Sequence, residues 1–458
     1  MFDDIMASFG FLFLLAIGLT IFVPFARGRN DLLTGWNFLL LGGALSTGFG
    51  SLEVAYGNFH WPELKWFHPD SDLKTRFVAY SLLFYGSLYF FYYACRPLTA
   101  WFAKGRLQKW PPINNVVLVS LTVVCILTSL FGLVVQNVPV LGVLLYNISH
   151  KAIVFGSVFS FLAWYRKKHL LPLLALFIGM YLFAGLYAML VFNGRRLLLS
   201  VLFAPLAAMY WAKWRERGPM VTTGFCAVAL ATLLVGASVY SSFRHFSNKK
   251  GVERNVAVLV EKVKSVSVLD SLNSTAQDGL HYFGQYAGFY SMLTMELVDN
   301  DRISVEPLNS LEFVVGYPIP RLWWPSKPQP PGHLLLRTLR LPYKTTWGLG
   351  VVGESYYEGG GVVMVIYALL ATIGIRFIDE PLKADPTNPF LIATLTAAFP
   401  HLMNWTRGSI AVMTVEVGEC VFFALLLGFV SRAFWGTRTT LQAPAQAYPY
   451  ASRAASAQ

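Results

Sequence analysis

About eleven long apolar runs divide this sequence, and they limit what it can fold into more than any other feature. A transmembrane helix needs roughly 20 mostly apolar residues, with about 17 as a working minimum. Runs that reach or approach this length cover residues 8–25, 37–56, 77–95, 113–135, 144–164, 169–192, 197–213, 220–241, 361–377, 389–403 and 408–431. We therefore predict an all-α polytopic membrane protein with about eleven transmembrane helices.

The composition excludes the common soluble classes of protein. Apolar residues make up 55% of the chain and charged residues only 13%, whereas soluble proteins carry roughly 25% charged residues. A cytosolic enzyme, a disordered scaffold and a DNA-binding domain are thereby excluded. The net charge of +12 lies in short clusters between apolar runs, which indicates membrane orientation and not a nucleic acid partner. The four cysteines are isolated, so neither a disulfide framework nor a metal site is indicated.

Lysine and arginine occupy alternate short loops, and the positive-inside rule places those loops in the cytoplasm. The N-terminus is then outside and the C-terminus cytoplasmic. The predicted organisation is eight transmembrane helices in 1–241, a large loop on the outer face in 242–360, three helices in 361–431 and a disordered tail in 432–458. A structureless loop of this size is improbable, so we expect surface helices within it, over residues 253–270 and 278–298.

Arginine occurs on the outer face, where the positive-inside rule disfavours it. Arg195 and Arg196 join the sixth and seventh spans, and Arg407 joins the tenth and eleventh. The guanidinium group binds phosphate bidentately and stays charged. Two interpretations remain open, a phosphate-bearing ligand and snorkelling to headgroup phosphates.

The end of the long loop is rich in proline, tryptophan and glycine. Prolines stiffen residues 317–328, and Trp323 and Trp324 suit a membrane interface. Arg321 and Lys327 add cations, and Glu354 supplies a carboxylate before the ninth span, where a helix N-terminus also favours it. Such a segment suits a lipid-linked anionic substrate, although interfacial loops often share this composition.

Two glutamates, Glu416 and Glu419, lie one helical turn apart in the last span. Carboxylates in lipid are costly and usually face a cavity or a partner. Lys151 and His150 in the fifth span are the expected partners. Two interpretations remain open. The glutamates form structural ion pairs, or they contribute to an acceptor site or a proton path.

Several of these motifs together resemble the O-antigen and exopolysaccharide repeat-unit polymerases (Wzy type). The resemblance covers roughly residues 190–430, and in many family members Asn-Phe stands where this chain has Tyr357 and Glu358. An odd number of spans with the N-terminus outside also departs from the family. The matching motifs are Pro320-Arg321, Trp324-Pro325, Lys327-Pro328, Gly353-Glu354 with Tyr356, Gly194-Arg195 and Arg407-Gly408.

The resemblance implies a membrane glycosyltransferase with a GT-C-like fold. It would polymerise oligosaccharide repeat units carried on undecaprenyl diphosphate, at the periplasmic face of the bacterial inner membrane. The expected partners are this lipid-linked oligosaccharide, membrane lipids and a chain-length regulator protein, with no cofactor and no nucleic acid.

Breaking a glycosyl–diphosphate bond places negative charge on the leaving group, which positioned cations stabilise. The predicted catalytic residues are Glu354 as base, with His333 and His281 behind it, and Arg321. No acidic or histidine cluster has metal-ligand spacing, so we expect metal-independent chemistry. The predicted diphosphate clamp comprises Arg195, Arg196, Arg407 and Lys327, besides Arg321, and the candidate acceptor site comprises Glu416, Glu419, Trp323 and Trp324.

Two alternatives remain open. A secondary transporter would use the intramembrane glutamates as its coupling site, but the two halves show no repeated hydropathy pattern. An O-antigen ligase would use the same donor with another acceptor, but the long loop lacks a histidine-rich signature.

Overall fold

The computed structural model describes residues 3–57, 64, 66–102, 113–135, 138, 141–189, 195–247, 267, 270, 273, 279, 284–341 and 347–435. Within these ranges the regular structure is helical and contains no strand. Seven helices are long and apolar enough to cross a membrane. The prediction of an all-α polytopic membrane protein is thus confirmed, while the count of eleven spans and the GT-C-like fold stay predictions.

The helices are named here in chain order. The first half contains α1 (Asp3–Ala26), α2 (Gly35–Tyr56), α3 (Ser71–Ala94), α4 (Arg96–Phe102), α5 (Asn115–Val134), α6 (Leu141–Arg166), α7 (Leu171–Tyr187), α8 (Arg195–Ala212) and α9 (Pro219–Ser247). The second half contains α10 (Ala287–Asp299), α11 (Asn309–Gly316), α12 (Leu334–Thr338), α13 (Gly350–Tyr357), α14 (Gly361–Ala384), α15 (Pro389–Trp405) and α16 (Ile410–Trp435). Each apolar run of the sequence coincides with one of these helices, and α1, α2, α3, α5, α9, α14 and α16 account for the seven long apolar ones.

Short polar side chains fix where several of the long helices begin. The Asp70 carboxylate accepts a hydrogen bond from the Leu73 amide at the start of α3. Asn114 accepts one from the Val117 amide at the start of α5. Such N-caps satisfy amides that have no partner within the helix. The apolar runs therefore become helices with defined starts.

Polar contacts join each end of α2 to a distant part of the chain. The Glu53 carboxylate, near the end of α2, accepts a hydrogen bond from the Tyr286 amide of the long loop. The Asp379 carboxylate, near the end of α14, accepts bonds from the Gly35 and Trp36 amides at the start of α2. The two contacts lie at opposite ends of α2. Which end faces the cytoplasm stays a prediction from the charge pattern.

Helix α15 lies at the centre of the bundle. It packs against α2, α6, α8, α14 and α16, and nearly all its side chains from Pro389 to Leu402 are buried. A helix that is apolar on all sides is a core helix. It is therefore the core helix around which these five helices pack.

The described part of the long loop folds over the ends of this bundle. Helix α10 packs against α13 and contacts α2 and α3, while α11 packs against α16. The predicted helix over 278–298 corresponds in part to α10, which begins at Ala287. The predicted helix over 253–270 falls almost entirely outside the described residues. So does the predicted tail beyond Trp435, the residue at which α16 ends.

Small residues on α2 allow its backbone to approach α15. A Cβ atom at Gly42 would lie 2.1 Å from the Met403 carbonyl oxygen. The middle of α2, Ala44–Phe49, is a π-helical stretch, which changes the direction in which the following residues point. Close backbone packing between membrane helices depends on such small residues.

Replacing Gly42 with alanine should separate α2 from α15. We expect the Gly42→Ala variant to lose roughly 1–3 kcal/mol of unfolding free energy, because the added methyl group meets rigid backbone. Thermal unfolding of the detergent-purified protein measures this loss. The matched control is Gly18→Ala on α1, where a Cβ atom meets nothing within 4 Å. Equal stability of the two variants would contradict the packing argument.

Candidate functional site

A lysine and two glutamates form an ion-pair cluster inside the bundle. Lys151 Nζ lies 2.5 Å from Glu416 Oε2 and 2.6 Å from Glu419 Oε2. The Lys151 side chain is only 5% exposed. The prediction that Lys151 is a partner of the two glutamates is confirmed. The pairing links α6 to α16, and removal of one partner would leave an uncompensated buried charge.

The long loop is attached to this cluster through a tyrosine. The Tyr317 hydroxyl donates to Glu419 Oε1 over 3.2 Å and accepts from Asn147 Nδ2 over 2.9 Å. Tyr317 is the residue after α11, outside the membrane helices. Burial and the nearby Glu419 carboxylate raise the pKa of Tyr317 to about 12. It therefore stays a hydrogen-bond donor at neutral pH.

A small polar cavity of about 30 Å³ lies beside the cluster. His401 Nε2 is 3.7 Å from Glu416 Oε2, and His401 Nδ1 is buried without a hydrogen-bond partner among the described residues. Glu416 lies six residues into α16, so the cavity begins roughly 9 Å below the start of that helix. The polar side chains that line it are His150, Lys151, Arg196, Ser200, His401 and Glu416.

Of the arginines predicted on the outer face, Arg196 lines this cavity. It is the second residue of α8, next to Arg195, with which the helix begins. The structure thus brings Arg196 together with Glu416, although the sequence analysis assigned them to different subsites. The cavity offers both a cation for an anionic ligand and a histidine beside a carboxylate.

Arg321 and Lys327 hold the proline-rich segment in shape. The Arg321 guanidinium donates to the carbonyls of Lys327 and Pro328 over 2.8 and 2.9 Å. Lys327 Nζ donates to the carbonyls of Tyr317 and Ile319 over 2.8 and 3.1 Å. Burial and the neighbouring Arg321 charge lower the pKa of Lys327. Both cations are therefore engaged with the backbone of their own segment.

The remaining predicted residues of this segment differ in exposure. Trp323 is 76% exposed, which suits its predicted place at the membrane interface. Trp324 is half-buried, and its ring covers Gly316, where a Cβ atom would lie 2.6 Å away. His333 is exposed at the end of a 3₁₀ turn. Trp323, Trp324 and His333 do not line the polar cavity.

Arg407 lies in the turn between α15 and α16. Its guanidinium donates to the Gln285 side chain, and its carbonyl accepts from the Gly350 amide over 3.1 Å. Gly350 has a φ of +69°, and a Cβ atom at Gly348 would lie 2.3 Å from the Arg407 carbonyl oxygen. The glycines before α13 therefore allow this segment to pack directly on the turn.

Glu354 is fully buried and caps the last helix. Its carboxylate accepts hydrogen bonds from the Ile410 amide over 3.0 Å, the Ala411 amide over 3.4 Å and the Ser409 hydroxyl over 3.2 Å. A carboxylate at a helix N-terminus is stabilised by the helix dipole. The expectation that this would be the ninth span is wrong, because the capped helix is α16. Its role as a general base stays a prediction.

Ser310 joins Glu354 to a second carboxyl group, that of Glu358. Ser310 Oγ lies 2.5 Å from Glu354 Oε1 and 2.5 Å from Glu358 Oε1. Since a hydroxyl has one proton to donate, its contact with the second carboxyl group requires that one carboxyl be protonated. Glu358 also accepts from the Tyr367 hydroxyl. We call Glu354 and Glu358 the acid pair; burial and the adjacent carboxylate raise the pKa of Glu354 to about 8.

The structure thus distributes the predicted site residues over separate environments. Arg196 shares a cavity with Glu416, Arg321 contacts Lys327, and Arg407 contacts Gln285. One shared diphosphate clamp stays a prediction, and His281 lies outside the described residues. Sequence reasoning missed His401 and Glu358. Glu358 follows Glu354 by one helical turn, and this spacing could have indicated that the two carboxyl groups lie close together.

The lysine of the ion-pair cluster should be essential for stability. We expect Lys151→Met to lose about 3–5 kcal/mol of unfolding free energy, the usual effect of breaking a buried pair by removing one partner. Adding Glu416→Gln and Glu419→Gln should restore much of it, because no unpaired charge then remains. Thermal unfolding measures both, with the exposed Lys167→Met as control. A Lys151→Met variant as stable as the control would contradict the pairing.

The acid pair should make stability fall as the pH rises. A carboxyl whose pKa is raised by folding, here to about 8, keeps its proton in the native state after the unfolded chain has lost it. Stability is therefore highest below the unfolded pKa of roughly 4.3 and declines until the native pKa is passed. Glu354→Gln should flatten this decline between pH 5 and pH 8 in melting curves. The control is the exposed Glu312→Gln on α11, and identical pH slopes would refute the shared proton.

Within the described ranges no group of three or more His, Cys, Asp or Glu side chains forms a metal-binding cluster. Comparison with known proteins finds no family model, no curated protein sequence and no solved structure that matches this chain. The resemblance to the repeat-unit polymerases therefore stays a prediction from the sequence motifs. The structure itself describes a multi-pass helical membrane protein with a polar cavity near one end of its bundle.

Proposed function

We propose that the protein is a polymerase of undecaprenyl-diphosphate-linked oligosaccharide repeat units at the periplasmic face of the bacterial inner membrane. The motif resemblance and the outer-face arginines support this proposal. The observation that carries it is the presence of Arg196, His401 and Glu416 around one cavity in the bundle. These groups supply a cation for a diphosphate and a candidate base for a hydroxyl.

The proposed transfer breaks the bond between the sugar and the lipid diphosphate of the growing chain. The acceptor hydroxyl oxygen forms a bond to the anomeric carbon, and the electron pair of the broken bond leaves with the diphosphate. Arg196 stabilises the negative charge that develops there, an interaction stronger in the transition state than in the ground state. Arg195, its neighbour on α8, extends the cationic end of that helix.

The proton of the acceptor hydroxyl passes to His401. Its Nδ1 makes no hydrogen bond to the described residues, while Nε2 faces the Glu416 carboxylate. A carboxylate on the far side of an imidazole orients it and stabilises the imidazolium that forms. Glu354, the base predicted from the sequence, has its carboxylate engaged in capping α16. The proposed reaction uses no cofactor.

The expected partners are the lipid-linked unit, the surrounding lipids and a chain-length regulator. A ligase would use the same donor and the same cation, and it differs only in the acceptor. Purified protein incubated with lipid-linked repeat units alone separates the two, since only a polymerase lengthens the glycan under those conditions.

Arg196 should be required for polymer synthesis. We expect Arg196→Ala to lower the polymerisation rate by roughly 10²–10³-fold, the usual effect of removing one transition-state donor. Polymer ladders from cells and rates from purified protein provide the measurement. The matched control is Arg337→Ala, which removes an exposed arginine of α12. A wild-type ladder with Arg196→Ala would remove this residue from the mechanism.

A secondary transporter is the second candidate function. The observation that favours it is the Lys151 ion pair with Glu416 and Glu419 within the bundle, since such groups often mark ion pathways. Proteoliposomes separate the candidates. Uptake that depends on a proton gradient, without glycan lengthening, would support the transporter and contradict the polymerase.

A further inference from the structure

The exposed side of α11 and of the proline-rich chain after it is apolar. We call residues 309–329 the α11 segment. A cluster of exposed apolar side chains marks a surface for a partner protein or for a membrane, and the position of this segment on the bundle distinguishes the two. Its exposed large apolar side chains are Val315 (71%), Ile319 (41%), Leu322 (78%) and Trp323 (76%).

Helix α11 runs alongside the first turns of α16. Near the start of α11, the Ser310 hydroxyl contacts the Glu354 carboxylate, which also accepts from the Ile410 amide at the start of α16. Just after the end of α11, the Tyr317 hydroxyl donates to Glu419 over 3.2 Å. The two helices therefore point in the same direction, away from the turn between α15 and α16.

This direction takes the α11 segment below the surface of the bilayer. Glu419 lies nine residues after Ile410, roughly 13 Å further along α16 by helical rise. Helix α16 has 26 residues, so when it is centred, a hydrocarbon core of about 30 Å begins about 5 Å below Ile410. Tyr317 then lies within the hydrocarbon layer, whereas the exposed Glu312 lies near its boundary.

The chain then returns along α11. The Trp324 ring covers Gly316 at the end of the helix. The Gln329 carbonyl accepts from Asn309 Nδ2, at the start of the helix, over 3.1 Å. The turn over 319–323 is therefore the deepest part of the segment, and it carries three of the four exposed apolar side chains.

The face of α16 that α11 covers continues as an exposed apolar stripe. Phe313 of α11 packs with Ala411 and Val415, which are both buried. Residues three or four apart share one face of a helix, so Phe422 and Leu426 continue the same stripe. They are 56% and 41% exposed on a helix that is long and apolar enough to cross a membrane. The α11 segment thus occupies the first part of a face that is otherwise open to lipid.

The α11 segment satisfies most of its backbone hydrogen bonds internally, as non-helical backbone at membrane depth must do. Arg321 and Lys327 donate to four of its carbonyls. Proline has no amide hydrogen to satisfy, and this applies to Pro318, Pro320, Pro325 and Pro328. The amides that bond to carbonyls of the segment are those of Tyr317, Ile319, Trp323, Trp324 and Lys327.

We propose that the α11 segment is a re-entrant hairpin that inserts into the lipid leaflet at the start of α16. Its exposed apolar side chains contact phospholipid acyl chains, and its two cations bind its own backbone because lipid supplies no donors to those carbonyls. This inference does not depend on the proposed function.

The first experiment uses the unmodified chain in liposomes of phosphatidylethanolamine and phosphatidylglycerol. A small fraction of phosphatidylcholine carries a photoactivatable diazirine midway along one acyl chain. We expect adducts on residues 315–323 at the same yield as on residues 422–429 of α16. Residues 331–338, around α12 in the same loop, are the control. A yield on 315–323 no higher than on 331–338 would overturn the inference.

The second experiment measures water access with nitroxides on single cysteines, in a chain whose four native cysteines are replaced with alanine. Val315→Cys and Leu322→Cys should collide more with oxygen than with a water-soluble nickel complex, as should the exposed Phe429→Cys of α16. The exposed Lys167→Cys should show the opposite preference. Collision mainly with nickel at both test positions would place the segment in water. Poor access to both reagents would mean that protein covers the patch. Either result contradicts insertion into lipid.

Discussion

The structure depends on the neutralisation of charge inside a helical bundle. Lys151 lies within hydrogen-bond distance of both Glu416 and Glu419, and no single one of these groups could remain charged in such a place alone. Their pairing fixes α6 against α16 and, through Tyr317, fixes the long loop against both. The geometry of the polar cavity follows from this arrangement, because Glu416 belongs to the ion pair and to the cavity wall.

Buried carboxylates that cap helix N-termini are the second kind of interaction on which the structure depends. Asp379 accepts from the first amides of α2, and Glu354 accepts from the first amides of α16. The amides of a helix N-terminus have no partner within the helix, and lipid supplies none. Each carboxylate comes from an element distant in sequence, so each cap also joins two parts of the chain. For Glu354 this explains full burial without any catalytic role.

The apolar runs were enough to predict the seven helices that are long and apolar enough to cross a membrane, because a membrane span needs about 20 apolar residues with its backbone hydrogen-bonded internally. They were also enough to suggest Lys151 as the partner of Glu416, since a charge in lipid needs a counter-charge. They could not show which helix Glu354 caps, because that depends on how α13 packs against α16. The apolar runs also could not identify His401. A single histidine in an apolar run does not indicate a function until the packing of α15 against α16 is known. The sequence also did not predict the contacts of Arg321. Its guanidinium group donates to carbonyls only six and seven residues later in the chain.

The hairpin of α15 and α16 connects these features. Adjacent residues of α15, His401 and Leu402, line the polar cavity and an apolar cavity between α14 and α16 respectively. The α15 core contacts five other membrane helices, so the hairpin is held from several sides. Glu354 caps α16 where the hairpin turns, and the partners of the acid pair, Ser310, Tyr367 and Ile410, line the apolar cavity between α14 and α16. Loss of the pair's proton would therefore change this apolar cavity, whereas loss of Arg196 would change the polar cavity.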